Sequence, residues 1–361
     1  MIGEVDRLFL RRAVELAERG LYSTTPNPRV GCVIVRDGRV IGRGWHVRSG
    51  EAHAEANAIA DADGDIEGAT VYVSLEPCCH TGAQPPCTDA LIRGRVHRVV
   101  GAMGDPDPRV VGIGYQTLRE AGIEVDTVEL SEAAELNAGF VKRFAIGRPF
   151  VRVKVAASID GRTAMADGES QWITSDEARA DVQAWRARSC AIVTGIGTVL
   201  ADDPRLNVRN EAFAVDGMIR QPMIAVADSA GRTPPNARLF DGNARVVVFT
   251  GAQAPTGASP GEVVRQQGKT VDLADMLGWL ANEGCNEVLV EAGSRLTGAF
   301  LHSELWDEAV IYQAPKFLGG NAWPMAAMTI ERLADAVRGT IRETHAVGSD
   351  LRVVLAREPQ R

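Results

Sequence analysis

The sequence predicts an α/β protein built as two consecutive domains, and three observations predict it. Short apolar, β-branched stretches alternate with helix-patterned ones across residues 22–130, which argues for a three-layer α/β/α sheet. Gly147-Arg148-Pro149 then interrupts the pattern, and a second strand–helix alternation begins at Phe150. At 361 residues the chain is also long for one core, so two domains are the default expectation. The expected domains are 1–147 and 148–361.

Residues 4–20 carry Leu8, Leu10, Val14, Leu16 and Ala17 between charges, an amphipathic helix ending at Gly20. Thr25-Pro26-Asn27-Pro28 breaks regular structure. Strands at 30–35 and 39–45 flank an Asp37-Gly38 turn and read as a hairpin. An alanine-rich helix over 52–62 leads to a strand at 69–75, a helix starting near Cys87, and a strand at 98–103. The loop Gly104-Asp105-Pro106-Asp107-Pro108, a helix at 115–121, a strand at 123–128 and one helix over 131–146 complete the first domain.

The second domain opens with a strand at 150–156 and a turn at Asp160-Gly161. Thr174-Ser175-Asp176-Glu177 reads as a capping box starting a helix at 175–188. Strands follow at 191–194, 223–227 and 245–250, then a Gly/Pro/Ala-rich loop at 251–261, a helix at 272–283 and a strand at 287–290. Glu291-Ala292-Gly293-Ser294 enters an apolar helix through Leu301; strands at 308–314 and 350–355 close the chain.

The chemistry-bearing stretch runs from His53 to Cys87. His53, Cys78 and Cys87 supply one imidazole and two thiols, a set that suits tetrahedral zinc with its fourth position open to water. Glu55 is then available to move protons, as in the H-x-E…P-C pattern of zinc deaminases. Residues two apart on a helix point ~200° from each other, so His53 and Glu55 serve one ion only if it lies beyond the helix N-terminus. A helix start at Cys87 would favour its thiolate. Eight residues, not two, separate Cys78 from Cys87, and Cys79 is too close to Cys78 to share an ion well. The bland alternative is a surface histidine and free buried cysteines.

Six cysteines are too few for a disulfide scaffold, and Cys32, Cys190 and Cys285 lie in apolar surroundings as core residues do. That usage fits a reducing compartment. The charged N-terminus has no apolar signal region, and no apolar run approaches the ~18 residues of a membrane span. Cytoplasm is the expected address, with no membrane partner. Net charge is −8, and residues 1–147 carry 16 Lys/Arg against 21 Asp/Glu. That balance favours a small-molecule substrate over a nucleic-acid strand. The oligomeric state is open, with a homo-oligomer among the partners considered. Gly195-x-Gly197 lacks the third glycine of a dinucleotide fingerprint, whereas Gly293 before a helix N-terminus suits phosphate, or is simply a turn.

Several motifs together resemble the deaminase half of the bifunctional riboflavin-biosynthesis deaminase/reductases. They are Pro26-Asn27-Pro28-x-Val30-Gly31, Gly44-Trp45-His46, His53-Ala54-Glu55, Glu76-Pro77-Cys78-x-His80-x-Gly82, Pro85-Pro86-Cys87 and Asp105-Pro106-x-Pro108. The reductase half is resembled by Arg148-Pro149, Lys154-x-Ala156-x-Ser158-x-Asp160-Gly161, Ser170-x-Trp172-Ile173-Thr174 and Gly195-x-x-Thr198. Asp202-Asp203-Pro204-x-Leu206, Arg209, Glu291-Ala292-Gly293 and Phe317-Leu318-Gly319-Gly320 extend it.

The resemblance implies a cytidine-deaminase-like fold followed by a dihydrofolate-reductase-like one. It implies hydrolytic deamination of a diamino-pyrimidinone ribosylamine 5′-phosphate, then NADPH-dependent reduction of the ribosyl group to ribityl. Carried over, one Zn2+ is held by His53, Cys78 and Cys87, with Glu55 as proton shuttle. Asn27, His46 and His80 face the first substrate; Lys154, Ser170, Arg186, Leu206, Arg209 and Glu291 face the second. Ala156, Trp172, Thr198, Asp202 and the turn from Gly293 face NADPH, with Lys154 and Asp202 nearest the hydride acceptor. Asn27 could equally shape a turn, either histidine a loop, and Arg186 a solvated helix face. Ala83, Asp107 and Ala292 depart from the family's usual residues and put substrate affinity in question. Two other readings remain: a nucleoside or base deaminase joined to a non-reducing nucleotide-binding domain, and a protein with a purely structural metal.

Overall fold

The computed structural model describes residues 2–82, 84–255 and 259–358. The chain divides into two compact units, Met1–Gly147 and Arg148–Arg361.

The first unit runs α1 (Glu4–Glu18), β1 (Gly31–Arg36), β2 (Arg39–Trp45), α2 (Ala54–Asp61), β3 (Thr70–Val73), α3 (Cys87–Arg93) and β4 (Arg98–Gly101). It continues through α4 (Ile113–Glu120), β5 (Glu124–Thr127), α5 (Ser131–Leu136) and α6 (Ala138–Ile146). The sheet order is β2-β1-β3-β4-β5, with β1 antiparallel to both neighbours and β3, β4 and β5 parallel. Two glycines let helices lie directly on this sheet. A Cβ on Gly31 would stand 2.0 Å from the Ala13 carbonyl oxygen of α1, and one on Gly44 would stand 2.3 Å from the Ala54 oxygen of α2. Gly44 pairs with Cys32, the residue after Gly31, so the two glycines face opposite sides. Helices α1 and α2 therefore sandwich the sheet, the three-layer arrangement expected.

Helix α1 buries Phe9, Leu10, Ala13, Val14 and Ala17 at helical spacing, while Leu8, expected on the apolar stripe, is 48% exposed. The single helix expected over 131–146 is two helices broken at Asn137. The Asn137 side chain, 2% exposed, accepts from Arg29 N–H at 2.8 Å and donates to Arg29 C=O at 2.9 Å. It thereby satisfies a backbone segment that no strand covers.

The second unit contains β6 (Phe150–Ser158), β7 (Arg162–Ala164), α7 (Asp176–Arg188), β8 (Ala191–Gly195), α8 (Ile196–Asp202), β9 (Met223–Ala227), β10 (Val246–Thr250) and β11 (Glu262–Arg265). After these come α9 (Leu273–Asn282), β12 (Glu287–Glu291), α10 (Ser294–His302), β13 (Glu308–Ala314), β14 (Trp323–Pro324), β15 (Gly339–Val347) and β16 (Asp350–Arg357). Its main sheet has the order β11-β10-β9-β8-β12-β6-β13-β16-β15. Neighbours from β11 to β13 run parallel, and β16 and β15 add an antiparallel edge. Strand β12 returns late in the chain to sit between β8 and β6, so the carboxyl ends of these three strands adjoin. Crevices outside such strand ends are where ligands bind in open α/β sheets.

Helix α7 departs from the expected capping box. Ser175, not Thr174, is the N-cap; its hydroxyl accepts from Ala178 N–H at 3.2 Å, and Glu177 does not fill the third position. Ser175 is held there because its own N–H and hydroxyl donate to Asp350 of β16, at 2.7 and 3.0 Å.

Candidate active sites

Three elements deliver the first cluster. His53 is the N-cap of α2, in extended conformation, so its ring projects beyond the helix start. Cys78 lies on the loop after β3, and Cys87 is the first residue of α3. Thr88 N–H donates to Cys78 C=O at 3.2 Å, which ties loop to helix. His53 Nδ1 stands 3.4 Å from each sulfur, and the three donor atoms all lie within 4.8 Å of one another. Tetrahedral zinc with ordinary Zn–N and Zn–S bonds would separate nitrogen from sulfur by about 3.5 Å, so the donor set fits that ion. Cys79 is not part of the group; its thiol faces the Arg109 carbonyl at 3.8 Å.

Charges set by the protein groups alone follow from this packing. The Cys87 thiol donates to Cys78, which with His53 pulls Cys78 down to about 4. Cys87 itself is raised, by that bond and by burial. Glu55 is 3% exposed on α2, and burial, reinforced by the Cys78 sulfur, pushes its carboxyl up to about 7.

Around this cluster, Asn27 Nδ2 donates to His46 Nε2 at 3.0 Å, and His46 Nδ1 faces the Ala52 carbonyl at 3.0 Å. Both His46 nitrogens are thus engaged within the protein, and burial lowers the pKa of the ring. Its ring meets the His53 ring edge-on, centroids 5.3 Å apart, so it braces His53 and Asn27 together. His80 Nδ1 is buried and has no hydrogen-bond partner among the described residues. Asp107 holds Arg109 through its carboxylate, and Asp105 Oδ1 accepts from Asp107 N–H at 2.8 Å. Position 83 lies outside the described residues.

Glu76 has a role that sequence reasoning missed. It is 3% exposed and accepts backbone N–H bonds from Asp105 (3.2 Å), Gly112 (3.0 Å) and Tyr115 (3.2 Å). It anchors the loop before Cys78 to the N-terminus of α4, where a carboxylate is favoured. Its position beside Pro77-Cys78 was visible, but its partners lie 29 to 39 residues away.

The second cluster sits at the carboxyl end of β12, against the middle of the neighbouring strand β6. Lys154 and Glu291 are register partners on β6 and β12. Arg186 of α7 grips Glu291 with both prongs, at 2.6 and 2.9 Å, and donates to Asn207 C=O at 3.2 Å. It is therefore not on a solvated face. Burial alone would raise Glu291, but Arg186 and Lys154 outweigh it and hold the carboxylate ionised. Burial lowers Lys154, partly offset by Glu291. Arg209 N–H donates to Gln183 Oε1 at 3.0 Å; burial and then Arg186 lower the Arg209 guanidinium. Leu206 is buried with φ at +49°.

Ser170 donates to Asp202 at 3.2 Å, and Gly293 N–H donates to the Thr198 hydroxyl at 3.1 Å. Trp172 is exposed, with the Arg179 guanidinium 4.3 Å from its ring centre. Ala156 lies on β6. Ser294 Oγ, at the first residue of α10, is buried with no hydrogen-bond partner among the described residues, beside the N-terminal amides of that helix. That pairing suits a pyrophosphate.

One unit carries a three-donor cluster of imidazole and thiols that fits a metal, and the other an arginine-clamped carboxylate at the end of a strand. Residues 4–103 match the cytidine and deoxycytidylate deaminase zinc-binding region, and residues 149–352 match the RibD C-terminal domain. The chain is 45% identical to the riboflavin biosynthesis protein RibD of Escherichia coli, over 96% of this chain and 98% of that one. It also superposes on Acinetobacter baumannii RibD with a TM-score of 0.93 at 42% identity, covering 99% of each chain. A Thermotoga maritima diaminohydroxyphosphoribosylaminopyrimidine deaminase/5-amino-6-(5-phosphoribosylamino)uracil reductase gives 0.88 at 33% identity, covering 98% of this chain and 99% of that one.

The chain belongs to the RibD family, bifunctional enzymes of riboflavin biosynthesis that join a zinc-dependent deaminase to an NADPH-dependent reductase. No helix among the described residues is long and apolar enough to cross a membrane.

Proposed function

We propose that residues 1–147 carry the deamination and residues 148–361 the reduction. The first reaction acts on a diamino-pyrimidinone ribosylamine 5′-phosphate, the class of compound named by the Thermotoga relative. His53, Cys78 and Cys87 hold the zinc, which when bound acidifies water. Glu55 takes a proton from the attacking water and delivers it to the departing ammonia. Asn27 and His80 orient the pyrimidine, and His46 acts by holding Asn27 and the His53 ring. The net charge of −8 supports a small-molecule substrate over a nucleic-acid strand.

In the second reaction NADPH supplies the hydride. Arg186 and Arg209 suit the substrate phosphate, since guanidinium forks match phosphate oxygens. Glu291 orients Arg186, and Lys154 sits beside both, placed to polarise the acceptor. Ser170 joins the substrate to Asp202; Ala156, Trp172, Thr198 and Gly293 line the cofactor.

The observation that carries this reading is the grouping of one imidazole nitrogen and two sulfurs within 4.8 Å, next to a buried glutamate. Glu55→Gln tests it. The variant should keep one zinc per chain and lose ammonia release by roughly 10²- to 10⁴-fold. NADPH oxidation on supplied deaminated product should persist. Near-full ammonia release from Glu55→Gln would remove the proton-shuttle role.

A further inference from the structure

On the reading that Lys154 polarises the hydride acceptor, its ammonium has to stay charged and keep its donors for the substrate. Glu291 is its register partner on β12, and Arg186 reaches in from α7. Both Glu291 oxygens are taken by Arg186, at 2.6 and 2.9 Å. The Lys154 ammonium itself forms no ion pair or hydrogen bond among the described residues. Its third neighbour is aromatic. On β13, Val310 is the register partner of Lys154, and Tyr312 lies two residues further, so its side chain leaves the sheet on the same face. Lys154 Nζ stands over the Tyr312 ring, 6.0 Å from its centre.

That ring is held in place from its far end. Tyr312 is fully buried, Trp185 Nε1 donates to its hydroxyl at 2.9 Å, and the hydroxyl donates to Asp181. Arg352, the register partner of Tyr312 on β16, donates to the same Asp181 carboxylate at 2.7 Å. Helix α7 and strand β16 thus fix the phenol. Burial lowers Lys154, Glu291 offsets part of that, and Arg186 adds to the lowering. An aromatic face attracts an ammonium within about 6 Å, more strongly where water is excluded. Unlike a carboxylate, it does so without an acceptor lone pair, so the three N–H donors remain for the substrate.

We propose that Tyr312 is a positioning residue for reduction: its ring sustains the charge of Lys154 and aims the ammonium at the acceptor, while its hydroxyl serves to fix the ring.

The only lysines in the chain are Lys142, Lys154, Lys269 and Lys316, so an NMR titration of the full chain with isotope-labelled lysine reads Lys154 directly. Loss of its signal in Lys154→Ala identifies it. Tyr312→Phe keeps the ring and should leave the Lys154 titration in place. Tyr312→Leu should lower it by roughly one pH unit. Pentafluorophenylalanine at position 312 keeps the ring's shape, reverses the charge of its face and should lower it likewise. Unmoved signals from the other three lysines report that each variant is folded. Because the ammonium is the active form, the alkaline limb of kcat for reduction of supplied deaminated product should fall to lower pH in the same two variants and not in Tyr312→Phe. An unmoved Lys154 titration in both, or an equal change in Tyr312→Phe, would overturn the role of the ring while leaving that of Lys154 intact. Near-full reduction by Lys154→Ala would instead overturn Lys154 as the polarising group, and the positioning role with it.

Discussion

At the scale of single residues, both sites depend on charged groups removed from water and compensated by specific partners. Arg186 and Glu291 have side chains only 13% and 9% exposed, and Lys154 leans on the same carboxylate. Removing one member of such a set leaves the others uncompensated. Glu291→Ala should therefore cost roughly 3–5 kcal/mol of stability, read by denaturant unfolding of the second unit, and abolish reduction while deamination continues. A second prediction concerns Asp6. Its carboxylate meets the Arg98 guanidinium at 2.8 Å, the Tyr72 hydroxyl at 2.9 Å and Gly3 N–H at 2.9 Å. Burial works to raise it, but these donors win and hold it below its ordinary value of 3.8. A depressed folded pKa means the contribution is full above the unfolded value and is lost as pH falls through the folded one. The melting temperature of the first unit should drop below about pH 4, and Asp6→Asn should flatten that acid limb. An unchanged limb in the variant would assign the drop to other carboxylates.

At the scale of elements, helix starts and loop anchors position the chemistry. His53 can face a metal because it ends the extended approach to α2, and Cys87 because it opens α3. Asn137 performs the matching structural task for the segment around Arg29, which adjoins Asn27. Asn137→Ala should leave the Arg29 N–H and C=O without their partner and cost roughly 1–3 kcal/mol in unfolding experiments. A neutral result would mean that α5 and α6 merge into the single helix the sequence suggests. Residues 131–146 do carry continuous helical patterning, and only a partner 108 positions away breaks it. The same limit explains other misses. Strand β15 is exposed along almost its whole length, so its residues show no apolar alternation, and β11 is short and largely solvent-facing. Ser175 became the N-cap through Asp350, 175 residues on. By contrast, β1, β10 and β12 are buried β-branched runs, and their burial is written into their composition.

At the scale of the molecule, the His53–Cys78–Cys87 cluster and the Arg186–Glu291 cluster each lie on their own compact unit. The deaminase motif was legible because its donors fall within 35 residues and their order is informative. The reductase site was legible only through family resemblance, since Arg186 and Glu291 are 105 residues apart and neither sits in a spacing that betrays the other. Separate sites predict separable activities. Cys87→Ser should abolish ammonia release and spare NADPH oxidation on supplied deaminated product. Loss of both activities together would mean that the metal also supports the reductase.

X-ray absorption at the zinc edge on the purified full chain tests the central assignment most directly. One zinc per chain should be found, with two sulfurs at about 2.3 Å, one nitrogen at about 2.0 Å and one light-atom ligand from solvent, and with one sulfur lost in Cys87→Ser. A four-ligand protein shell, or a zinc whose sulfur count is unchanged in that variant, would contradict it.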